Sequence, residues 1–262
     1  GDWSSDVCSS DLDLQENLDM LTKAYPQETL EGDGVVVNRL FPISQRMNFD
    51  PFVLWDHFNV SAGHGFPDHP HRGFEAITYM LTGGMHHKDN LGNDAFVSKG
   101  GAQVFCAGSG IVHSEIPATE DQSVGIQLWI NLPKHLKTTK PSYQQVLSKN
   151  LPVTTFEGGY CRTIVGEGSP IELHTDITYQ HVNLEQNKQY QIYINQGLNA
   201  VIYALSGDII LAGETLSSTE SLLIKADEEQ NLSIQAKTGS EFMFCCGLPH
   251  HQPIYQHGPY VD

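Results

Sequence analysis

The sequence predicts an all-β protein made of two tandem β-barrels. Short β-rich runs recur between Gly, Asn, Asp and Ser punctuation, among them GVVVNRLF, EAITYMLTGG, VGIQLWINL, SLLIKAD and EFMFCCG. Runs of this length closed by turn residues are the pattern of strands. The second half also repeats the first: at an offset of 124, AITYMLTGG (76–84) falls on AVIYALSGD (200–208) with Ala, Tyr, Leu and Gly in register. A further pair, GIVHSEIP (110–117) and GLPHHQP (247–253), follows in the same order, as a duplicated barrel would produce. Between the halves, the polar, Pro-flanked PKHLKTTKPSYQQV (133–146) reads as a connector.

These marks set the boundaries: a first barrel over 13–133, a linker over 134–146 and a second barrel over 147–262. Only NLDMLTKAY (17–25) has a helical pattern. The first twelve residues, GDWSSDVCSSDL, lack apolar periodicity and match the translation of sequencing-library adapter DNA, so 1–12 is read as a non-native tail.

The chain has 262 residues, 39% of them apolar, enough to bury a sizeable core. Acidic residues outnumber basic ones by 31 to 14, a net charge of -17, and the balance stays strongly acidic without the three Asp of the tail. Direct nucleic-acid binding is therefore excluded, because it needs clustered Lys and Arg. Outside the tail, Cys106, Cys161, Cys245 and Cys246 do not form a disulfide framework. No apolar run reaches the roughly 18 residues of a membrane span. A cytoplasmic monomer without membrane association is expected.

Candidate chemistry concentrates in GFPDHPHRGFEAITYMLTGG (65–84) and AGSGIVHSEIP (107–117). Side chains alternate along a strand, so His69 and His71 share a face, and a regular strand would carry Gly73 and Glu75 onto it too. His113 and Glu115 repeat the spacing after a Gly-Ser-Gly turn. Three imidazoles and a carboxylate suit a borderline first-row metal. Under the repeat, His69, His71 and Glu75 fall on Tyr193, Asn195 and Asn199, while His113 and Glu115 fall on His250 and Gln252. The second barrel is thus expected to lack the metal clamp. Phe52, Trp55 and Phe58 of FVLWDHF are candidates for the wall of a planar-ligand pocket, although core packing is the simpler reading.

HPHRGFEAITYMLTGG followed by GSGIVHSEIP resembles the pirin family of the cupin superfamily, and the likeness runs from residue 34 to the end. The resemblance implies two cupin (jelly-roll) barrels packed face to face, the first holding Fe(II), with Mn, Co, Ni or Cu as alternatives. By motif position the ligands are His69, His71, His113 and Glu115, and Glu75 is left to orient a ligand imidazole. Bacterial members resemble quercetin 2,3-dioxygenases, which implies cleavage of a flavonol-like aromatic substrate by O2. Glu115 then serves as the base for the substrate's 3-hydroxyl. The family also implies an alternative, a redox-responsive iron-binding regulator acting through protein partners. Two departures stand out: the chain ends at GPYVD where the family usually continues from GPFVMN, and Cys106 replaces a more familiar Thr. Cys106 reads as a small buried hydrophobe.

Overall fold

The computed structural model describes residues 20–118 and 122–262. The tail over 1–12 lies outside them. Among the described residues, the regular structure apart from two single-turn 3-10 helices is all strand.

Each half closes a seven-stranded sheet against a four-stranded one. The larger sheet of the first half runs, edge to edge, Ser142–Val146, Ala102–Cys106, Phe74–Thr82, Ser123–Asn131, Phe52–Val60, Val35–Phe41 and Gln27–Glu31. Its smaller sheet runs Phe66–His71, Ile111–Pro117, Gly84–Asp89 and Asp94–Ser98. The second half repeats this order as Leu21–Ala24, Ser221–Lys225, Asn199–Ser206, Ser240–Gly247, Ile177–Leu184, Gly159–Val165 and Val153–Phe156. Facing these are Gln189–Ile194, Gln230–Ala236, Ile209–Leu211 and Glu214–Leu216. The duplication inferred from AITYMLTGG and AVIYALSGD holds, since the two segments are the third strands of equivalent seven-stranded sheets.

The two large sheets pack outer face to outer face. Alternation along Phe74–Thr82 sends Ile77 and Tyr79 into the shared core, with Trp55, Leu128, Tyr179, Tyr203 and Met243. It sends Phe74 and Ala76 into the first barrel's own interior. Trp55 lies between Tyr179 and Tyr203, with ring centroids 5.9 and 5.4 Å away. Two buried tyrosines find polar partners across this interface: Tyr79 Oη is 2.9 Å from His181 Nδ1 and Tyr203 Oη is 3.1 Å from His57 Nδ1. Such pairing offsets the cost of burying the hydroxyls. The second barrel's interior is an apolar cluster that includes Val182, Ile202, Leu216 and Phe242.

Four sequence expectations change. The stretch read as a linker ends in a strand: Ser142–Val146 pairs antiparallel with Ala102–Cys106 and completes the first large sheet. Its SYQQV is too polar to stand out as a strand, yet as an edge strand it needs only one covered face. The helical reading of 17–25 fails where it is described, because Leu21–Ala24 pairs with Ser221–Lys225. That pairing also places the start of the chain in the second barrel's sheet, outside the first barrel to which 13–133 assigned it. Finally, the strand equivalent to Ile111–Pro117 is Gln230–Ala236, so His250 and Gln252 are not the counterparts of His113 and Glu115. GLPHHQP resembled GIVHSEIP through composition without sharing its place in the sheet.

Candidate metal centre

His69 and His71 lie on Phe66–His71, and His113 lies opposite on Ile111–Pro117, where His113 pairs with His69 and Ile111 with His71. Cross-strand neighbours are close enough for their side chains to meet. One nitrogen from each of the three rings comes within 4.8 Å of the others. His71 and His113 are buried, whereas His69 is partly open.

Ring protonation follows from the partners behind each histidine. His69 Nδ1 faces the Pro67 carbonyl at 2.7 Å, and His71 Nδ1 faces the Pro259 carbonyl at 3.2 Å. Each carbonyl can only accept, so each Nδ1 carries the proton. His113 Nδ1 faces His87 Nδ1 at 3.4 Å, and His87 Nε2 in turn faces Asp89 Oδ2 at 3.0 Å. Burial pushes the Asp89 carboxyl upward, but donors from His87, Asn93 and the Leu91 amide outweigh it and hold it below its usual value. An ionised Asp89 accepts from His87 Nε2–H, which leaves His87 Nδ1 to accept from His113 Nδ1–H. All three candidate ligands therefore present a bare Nε2.

A neutral imidazole has one ring proton, so His69 Nε2 and His113 Nε2, 3.1 Å apart, meet lone pair to lone pair. Protonation is disfavoured: burial, with His69 beside it, pushes His71 down to about 3, and burial holds His113 well below its ordinary value. Three convergent neutral imidazoles are a donor set for a first-row divalent metal. The residues fit such an ion.

The expectation for Glu75 is corrected. Glu75 is not near the imidazoles. Its strand belongs to the other sheet, and the turn at Arg72–Gly73 breaks the alternation that would have aligned 69, 71, 73 and 75. Gly73 has φ +84°, and a Cβ there would sit 1.8 Å from the Val261 carbonyl oxygen. Glu75 points to the opposite face and orients His174, accepting from its Nδ1 at 2.8 Å, so it orients no ligand imidazole. Glu115 stays in the first barrel but outside the three-histidine cluster. A register shift separates it from His113, and its carboxylate accepts from Thr78 Oγ1 at 2.9 Å, Gln127 Nε2 at 3.3 Å and Gln103 Nε2.

Glu115, His69 and His71 line one cavity of about 600 Å³, within the range of small-molecule sites. Val37, Leu54, Phe58 and Trp129 supply apolar wall. Of the three aromatics considered for that wall, Phe58 reaches the cavity, while Phe52 and Trp55 join the inter-barrel core. Arg39 and Asp56 form a bidentate ion pair beside it, at 2.8 and 2.6 Å. Cys106 is buried on the face away from the imidazoles, and burial together with Glu75 pushes its thiol up to about 12.

Sequence reasoning missed two sets of contributors. His87 is fully buried, stacked on Tyr143 at 4.2 Å. The alternation in MHHKD carried a signal, since Met85, His87 and Asp89 share one strand face. The Pro259 carbonyl comes from a C-terminal segment that docks on the first barrel through Val261 N to Arg72 O at 3.1 Å and an Arg72–Asp262 pair at 2.7 Å. No local pattern announces that contact.

Comparison with known proteins agrees with this architecture. A family model described as Pirin matches residues 34–130, and one described as Pirin C-terminal cupin domain matches 179–262. A pirin-like protein of Caulobacter vibrioides is 34% identical over 247 residues, covering 90% of this chain and 89% of that protein. Pirin of Homo sapiens is 33% identical over 244 residues, covering 90% and 84%. Among solved structures, a quercetin 2,3-dioxygenase from Acinetobacter baumannii superposes with a TM-score of 0.85 at 25% identity, covering 93% of this chain and 84% of that one. A bacterial pirin, YhhW, from Escherichia coli in complex with nickel(II), gives a TM-score of 0.74 at 25% identity, covering 88% and 99%.

Proposed function

Since the chain belongs to the pirin family, we propose that its three-histidine centre holds iron and that the protein cleaves flavonols such as quercetin with O2. The observation that carries this reading is the convergence of three imidazole nitrogens beside a cavity with room for a planar aromatic molecule. The likeness to a structure named as a quercetin 2,3-dioxygenase supports the substrate class.

Iron bound there would supply the redox chemistry that opens the flavonol to O2. The chain's own residues set the stage. His69, on the partly open side, leaves the centre reachable from the cavity. Val37, Leu54 and Phe58 give a planar ring an apolar surface and exclude water from it. Glu115, on the same cavity as His69 and His71, is the proton acceptor for the substrate's 3-hydroxyl. Thr78, Gln103 and Gln127 fix the direction of its carboxylate, which is what a general base requires.

The test is oxygen uptake and loss of the flavonol absorbance band by the Fe(II)-loaded protein. Wild type should turn over. Glu115→Gln should lose about 10²- to 10⁴-fold in kcat, the usual contribution of a general base. Absence of turnover by stoichiometrically loaded wild type would sink the dioxygenase reading.

A further inference from the structure

A second donor cluster lies on the far face of the same large sheet. Glu75 and Cys106 are cross-strand partners on Phe74–Thr82 and Ala102–Cys106. Val104 and Ile77, two residues along each strand on the same face, belong to the inter-barrel core. From the second half, the segment between Gly159–Val165 and Ile177–Leu184 lays His174 against this pair. A carboxylate oxygen, a thiol sulfur and an imidazole nitrogen thus come within 4.8 Å of one another.

The segment that delivers His174 is held in place by its own contacts. Gln144 exchanges two hydrogen bonds with the Glu172 backbone, at 2.7 and 3.1 Å. Thr175 Oγ1 donates to the Asn131 carbonyl at 3.1 Å. The amides of His174 and Thr175 donate to the Glu75 carboxylate at 3.0 and 3.2 Å. The donors are therefore gathered before any ligand arrives, so little ordering cost remains for binding. A cavity of about 220 Å³, lined by Glu75, Cys106, His174 and Glu172 among others, gives access to them. The His174 side chain is 37% exposed and forms the outer edge.

We propose that Glu75, Cys106 and His174 form a second metal site, for a thiophilic divalent cation of the Zn²⁺ class. Mixed N, S and O donors suit zinc, and three protein ligands leave its fourth tetrahedral position to water. Binding exchanges the thiol proton of Cys106, released to solvent, for a sulfur–metal bond, and the His174 ring proton now shared with Glu75 stays on whichever ring nitrogen faces away from the ion, with no change of oxidation state. A nucleophilic Cys-His-Glu triad would use the same residue types. It is disfavoured because burial, with Glu75 beside it, raises the thiol, the reverse of what activation needs. The ion would join the two halves, since Glu75 and Cys106 come from the first barrel and His174 from the second.

Zinc content and cobalt spectra of the full chain test this. After equilibrium dialysis against Zn²⁺, wild type should carry one ion more per chain than Cys106→Ala or His174→Ala. His174 is a surface residue, so its variant keeps the fold, which a thermal melt verifies. Co²⁺-loaded wild type should show a thiolate-to-cobalt charge-transfer band in the near ultraviolet that Cys106→Ala lacks. Equal zinc content in wild type and His174→Ala would overturn the proposal, as would a cobalt spectrum without the thiolate band. The band depends on Cys106 alone, so this outcome is independent of whether the three-histidine centre turns over flavonols.

Discussion

Asp89→Asn should disable the three-histidine centre from two residues away, by reversing one hydrogen bond. Asp89 Oδ1 accepts from the amides of Leu91 and Asn93 at 2.9 and 3.0 Å. In the variant those amides hold the Asn carbonyl oxygen, and the Asn NH2 takes the place of Oδ2, facing His87 Nε2 and the Asn93 side chain, whose amide donates to Oδ2 at 2.8 Å in the wild type and must turn its oxygen inward to accept. His87 must then accept at Nε2 and carry its proton on Nδ1, opposite the Nδ1–H of His113, 3.4 Å away. Two donors cannot share that contact. His113 is driven to the tautomer protonated on Nε2, the nitrogen the metal needs. Outer partners of metal-bound histidines typically contribute roughly 10- to 100-fold in affinity, about 1.4–2.8 kcal/mol. Competition against a chromogenic chelator, with Ni²⁺ or anaerobic Fe²⁺, reads this directly. A folded Asp89→Asn with wild-type metal affinity would refute the tautomer chain.

Three further outcomes follow from the same geometry. His113→Ala should strip the metal from the first barrel, whereas His250→Ala should leave its metal content unchanged, as atomic absorption would show. Trp55→Ala should cost about 3–5 kcal/mol in urea unfolding, the usual penalty for emptying a fully buried aromatic site, because the ring fills the space between Tyr179 and Tyr203. The metal-free protein should lose stability with acid: burial holds His57 at about 4 and, with His69 beside it, His71 at about 3 in the folded state. Unfolded imidazoles titrate at about 6.5, so stability is complete above that value and falls as pH drops toward 4 and then 3. A urea midpoint that stays flat from pH 7 to about 4 would contradict this, and His57→Gln should reduce the slope.

Much of this was legible in local patterns. Strand runs, the repeat centred on AITYMLTGG and the spacing of His69, His71 and His113 are all properties of a few neighbouring residues. They survive because alternation along one strand decides which side chains share a face. The errors arose where the chain leaves a strand. Glu75 looked aligned with His71 until Gly73 turned the backbone into a different sheet. The start of the chain and SYQQV were misplaced because an edge strand is defined by its partner, and that partner lies far away in sequence. Glu115 and His87 depend on strands brought alongside by barrel closure: Gln103, Gln127 and Thr78 for one, Asp89 and Tyr143 for the other. Only MHHKD offered a local hint of such support.

X-ray absorption on the Cys106→Ala chain, which removes the sulfur donor of the second site, loaded with one equivalent of Ni²⁺ tests the central claim most directly. Three imidazoles bound through Nε2 predict strong imidazole multiple scattering from three rings and no sulfur in the first shell. A sulfur neighbour, or a shell without imidazole scattering, would place the ion elsewhere and contradict the assignment of His69, His71 and His113.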